Sequence, residues 1–88
     1  MKFKAKIEGR DAPITLNGRT AWALQQLMTA GLKGVSTVER PAPRWSSYVA
    51  ALRDKGINID TVMDPHGGAY PGRHGRYVLR SAVAVEPV

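Results

Sequence analysis

Cysteine is absent from the chain, so it can form neither disulfides nor thiolate metal sites, a composition that suits a reducing compartment. Long apolar runs are missing too. The opening MKFKAKIEGR alternates lysine with apolar residues and reads as neither a signal peptide nor a membrane span, so a cytoplasmic protein is expected. Acidic residues are scarce: seven Asp and Glu stand against thirteen Lys and Arg, a formal charge of +6 and a pI near 10.2. That balance favours polyanionic partners through long-range attraction and counterion release, but it also serves as ordinary solubilising charge. No GxxxxGK[ST] run, G-x-S-x-G elbow or paired carboxylate constellation is present, so no enzyme and no cofactor is expected. No internal repeat or heptad occurs. The 43% hydrophobic content is that of a folded protein, and 88 residues accommodate one domain, 1–88.

The first pattern is period two. Phe3, Ala5 and Ile7 alternate with Lys2, Lys4 and Lys6, which predicts a half-buried strand. The lysines read best as a charged edge that discourages strand pairing, with a phosphate contact as the alternative. A turn at 9–13 leads to a short strand at Ile14-Thr15-Leu16. Asn17 is a candidate N-cap for the helix GRTAWALQQLMTA, whose Ala21, Leu24, Leu27 and Met28 recur at helical spacing. Trp22 lies beside that stripe, and core packing is its expected role. Gly31 supplies a stop.

Within 34–40, Ser36 or Thr37 is a candidate cap for a short helix with Glu39 in its first turn, and Pro41 and Pro43 limit it to about one turn. A second long helix then spans 44–55. Trp45, Tyr48, Val49 and Leu52 form its apolar stripe, leaving Arg44, Ser46, Ser47, Ala50 and Asp54 outside. Gly56 ends it, and Ile57, Ile59 and Val62 begin a strand. Residues 64–75, DPHGGAYPGRHG, read as a basic glycine-rich loop, and 76–80 as the returning strand, with Val83 and Val85 as its extension. Helix, glycine stop, strand, basic loop and strand together form the helix-plus-wing half of a winged helix-turn-helix, an α+β fold whose antiparallel β-sheet would be widened by the extra N-terminal strands.

Asp64, His66 and His74 raise the question of a metal, but their spacing matches no familiar ligand set and a glycine loop holds such geometry poorly; no metal site is expected. The basic side chains of the loop carry more meaning. Arg73, His74 and Arg76 cluster within four residues, with Tyr70 nearby, and can lie along a nucleic-acid backbone or enter a minor groove.

Three runs give the chain a family likeness: LNGRTAWAL at 16–24, WSSYVAALR at 45–53 and the HGG…HGRYVL pattern of 66–79. They resemble the small bacterial and prophage-associated winged-helix domain family. The resemblance implies a winged-helix fold and, by fold analogy, binding of double-stranded DNA by a transcriptional or mobile-element regulator. It also implies a recognition helix at 44–55 and a wing at 64–76. The resulting DNA-contact set is Arg44, Ser46 and Ser47 at the groove, Arg53 and Lys55 as added attraction, and Arg73, His74 and Arg76 on the backbone or minor groove. A homodimer is plausible. The alternative is a protein-interaction module on the same scaffold, built around Trp22, Tyr70 or the strand carrying the three lysines.

Overall fold

A computed structural model describes residues 1–36, 44–66 and 72–87, with the backbone alone at 63–66, 72–75 and 87. The strands are β1 (Lys2–Ile7), β2 (Ile14–Asn17), β3 (Val35–Ser36), β4 (Ile59–His66), β5 (Gly72–Leu79) and β6 (Val83–Pro87). The helices are α1 (Gly18–Ala30) and α2 (Trp45–Asp54), and a 3-10 turn at Gly31–Lys33 follows α1. The architecture is α+β, with two antiparallel three-stranded sheets ordered β2-β1-β6 and β3-β5-β4.

The alternation in β1 does what the pattern predicts. Phe3, Ala5 and Ile7 are buried while Lys2, Lys4 and Lys6 face outward. The edge explanation of those lysines is corrected, however: β1 is the central strand of its sheet, hydrogen-bonded on both sides. The partner that makes it central is β6. Sequence pattern suggests that Val83 and Val85 prolong the strand at 76–80, yet they pair with Ile7 and Ala5 instead. A break at Arg80–Ala82 turns the chain, with Arg80 and Ser81 amides both donating to the Asn58 carbonyl. The N-terminal strands thus build a separate sheet rather than widening the other.

Helix α1 is made by its apolar stripe. Ala21, Ala23, Leu24 and Leu27 are fully buried, each leucine contributing about 1.5–3 kcal/mol of burial. Asn17 occupies the N-cap position in extended conformation, but its side chain makes no capping hydrogen bond. Its backbone is committed to β2 opposite Lys2, and the Gly18 amide donates to the Met1 carbonyl instead. Gly31, at φ 58°, ends the helix as expected.

The short helix expected after Ser36 or Thr37 lies outside the described residues, and β3 precedes it. Val35 and Ser36 pair with Tyr77 and Arg76, and both are buried. A two-residue strand shows no periodicity, so only its tertiary partner reveals it. Residues 37–43, with Pro41 and Pro43, lie outside the described part. The loop predicted over 64–75 is also shorter than sequence suggests. The β4–β5 ladder runs to His66↔Gly72, carrying the extended backbone through Pro65↔Arg73 and Asp64↔His74.

One core joins both sheets and both helices, from Phe3 and Leu16 through Leu24 and Leu27 to Val49, Leu52 and Ile59. Gly34 packs its backbone closely against β5. Its φ is 79°, and a Cβ there would lie 2.8 Å from Val78 Cγ2 and 2.9 Å from the Tyr77 carbonyl oxygen. Gly9 shares a positive φ, 88°, but nothing lies within 4 Å of its Cβ position. Gly34→Ala is therefore expected to destabilise by about 2–4 kcal/mol, against about 1 kcal/mol for Gly9→Ala, in urea unfolding monitored by circular dichroism.

Candidate nucleic-acid interface

Helix α2 is placed by its first residue. Trp45 is 2% exposed and stacks near Tyr77 of β5 (centroids 6.3 Å apart) and obliquely against Trp22 of α1 (5.3 Å). Tyr48 meets Trp45 edge-on at 6.4 Å. Each such aromatic pair adds about 0.5–1.5 kcal/mol beyond burial. With Val49 and Leu52 also buried, one face of α2 is locked against α1 and the β3-β5-β4 sheet. The opposite face is left to solvent: Arg44, Ser46, Ser47 and Ala50 are all exposed. Small and hydroxylated side chains on this face allow close approach to another surface. The expected helix at 44–55 is thus present, bounded at Trp45–Asp54 with Arg44 and Lys55 in the cap positions.

The predicted contact residues separate into two groups. Arg44, Ser46, Ser47 and Lys55 are exposed, and among the described residues none forms an ion pair. Arg53 is exposed too, but it also bonds within the fold. Its Nε donates to the Ile59 carbonyl at 3.1 Å, and one Nη donates to the same oxygen at 2.7 Å and to Thr61 Oγ1 at 3.0 Å. This ties the C-terminal end of α2 to the start of β4, and so sets where the β4–β5 hairpin leaves the helix. Arg53 thus has a positioning role in the fold, while the side chain stays exposed at the surface.

Arg76 is likewise engaged, an Nη donating to the Lys33 carbonyl at 3.1 Å across from the 3-10 turn. Arg73 and His74 lie on β5 opposite Pro65 and Asp64 in the backbone ladder. Their side chains lie outside the described part, as do residues 67–71, Tyr70 among them. Among the described residues, no group of three His, Cys, Asp or Glu is arranged to hold a metal, and no helix is long and apolar enough to cross a membrane. The side chains of Asp64, His66 and His74 are outside that description.

Charge is unevenly shared between the two sheets' segments. Residues 18–80 hold nine Lys and Arg against four Asp and Glu, whereas the remaining residues hold four against three. The excess therefore belongs to the helices and the hairpin, and the outward lysines of β1 are nearly balanced by Glu8, Asp11 and Glu86. The exposed Arg80–Asp60 pair, Nε to Oδ2 2.7 Å, contributes little to stability.

A third arginine was not singled out from sequence. Arg19 lies over the Trp22 ring, 4.6 Å from its centroid, and its Nε donates to the Tyr48 hydroxyl at 3.4 Å. The i, i+3 spacing of Arg19 and Trp22 on a helix is the local signal for that stack. Its link to Tyr48 crosses 29 residues of sequence and is visible only in the fold.

A helix with an outward polar face, preceded by a strand that pairs into the antiparallel hairpin following it, defines the winged-helix class. The strand order β3-β5-β4, with α2 between β3 and β4 in the chain, has that arrangement. A family model described as Winged helix domain matches residues 13–88, and the chain belongs to that family. No curated protein and no solved structure matches it.

Arg53→Ala is expected to lower stability by about 1 kcal/mol in chemical unfolding, through loss of its carbonyl and hydroxyl acceptors. Arg53→Lys should recover only part, since a lysine lacks the planar fork.

Proposed function

We propose that this protein binds double-stranded DNA, with α2 as the recognition helix and the β4–β5 hairpin as a wing. The observation that carries this reading is the outer face of α2. Arg44, Ser46, Ser47 and Ala50 are exposed together on a helix whose other face is held rigidly, and a hairpin is tied beside it by Arg53. Small side chains bring a helix close to base edges, serines hydrogen-bond to bases or phosphates, and Arg44 meets a phosphate or guanine. Arg73 and His74 are the wing residues for the backbone or minor groove, and Lys55 adds sequence-independent attraction. The positive excess within residues 18–80 supports the same surface.

The protein acts as a small transcriptional or mobile-element regulator in the cytoplasm, as a binding protein rather than an enzyme. A palindromic site read by a homodimer is compatible with one domain per half-site.

Fluorescence anisotropy with labelled random duplex at 50 and 200 mM salt tests the reading. Binding should fall steeply with salt. Arg44→Ala and Arg73→Ala should each reduce the slope of log K against log salt by about 0.9, the value for one phosphate contact. Ser46→Ala with Ser47→Ala should weaken a selected site more than random DNA. Absence of binding at 50 mM salt would leave the protein-interaction module as the better account.

A further inference from the structure

Three arginines near α2 have acceptors within the fold. Arg53 and Arg76 donate to backbone carbonyls, and Arg80 pairs with Asp60. Arg19 is held differently. One face of its guanidinium is stacked on Trp22, and its Nε makes one long hydrogen bond to Tyr48. The residue is nevertheless exposed, and among the described residues no carboxylate pairs with it. A guanidinium fixed by its face and its Nε keeps its Nη edge for a planar, bidentate acceptor such as phosphate. The stack removes much of the side-chain freedom that phosphate binding would otherwise have to remove.

The position of this arginine is set by Tyr48. Tyr48 turns toward α1, whereas Arg53, five residues on and well round the helix, reaches β4 on the hairpin side. Arg44 is the exposed N-cap residue of α2. The outer face of α2 is thus bordered by the hairpin on one flank and by Arg19 on the other. A helix seated in a major groove has one phosphodiester strand on each side of it, the groove being about 12 Å wide.

We propose that Arg19 is a phosphate-contacting residue that grips the DNA strand on the flank of α2 opposite the wing. This inference rests on the DNA-binding reading and adds the start of α1 to the contact surface. Tyr48 and Trp22 are its positioning residues.

The test uses the full chain with Arg19→Ala, Arg19→Met and Arg19→Lys in salt-dependent anisotropy and hydroxyl-radical footprinting on a selected duplex. Methionine preserves the apolar stem over Trp22 and removes the charge, so it guards against loss of folding in the alanine variant. The expected result for Arg19→Met is binding about eightfold weaker at 100 mM salt, with the slope lower by about 0.9. Its footprint should lose protection on the strand opposite the one affected by Arg73→Ala. Arg19→Lys should restore the slope. Wild-type slope and footprint in Arg19→Met, with only the melting temperature changed, would make Arg19 a structural staple and overturn the inference while the DNA-binding reading stood. A wild-type protein that binds no duplex would bring down that reading first, and the role of Arg19 with it.

Discussion

Trp45 occupies the junction of α1, α2 and β5, buried at the first turn of its helix against Trp22, Tyr48 and Tyr77. Three rings whose centroids lie 5.3–6.4 Å from that of Trp45 cannot shift independently of it, because interiors are packed to crystalline density. The direction of α2, the exposure of Ser46 and Ser47, and the origin of the hairpin all follow from that contact. Loss of this indole would remove more than its burial energy: the outer face of α2 would lose its fixed relation to β4 and β5.

Around that anchor the arginines divide by geometry rather than by charge. Arg53 and Arg76 donate to the carbonyls of Ile59 and Lys33, and in doing so hold the β4–β5 hairpin to the helix and to the turn after α1. Arg19 reaches Tyr48 on the other side of α2, and both it and Arg44 are exposed at the surface. A positive residue near a recognition helix can therefore support the reader or touch what is read, and only the location of the nearest acceptor tells which. The same logic applies to the lysines of β1. They crown a central strand amid acidic neighbours, so the chain's net charge does not concentrate there.

The local sequence determined the elements whose period is long enough to read. Thirteen residues of helical apolar spacing make α1, the Trp45–Leu52 stripe makes α2, and strict alternation makes β1. Gly31 and Gly56 mark the helix ends by their left-handed backbone, and the outward set Arg44, Ser46, Ser47 follows from the stripe alone. These features depend on neighbours a few residues apart, and such interactions are written in the order of the residues.

Tertiary structure alone decided the rest. β3 is two residues long and exists because Tyr77 and Arg76 are there to pair with it. β6 joins β1 rather than prolonging β5, since the turn after Leu79 sends Val83 and Val85 to the far sheet. Arg53 became a strut and Arg19 an anchored surface cation through partners 6 and 29 residues away. Composition and spacing set which side chains are available. Which donor meets which acceptor depends on chain segments brought together only by burial of the common core.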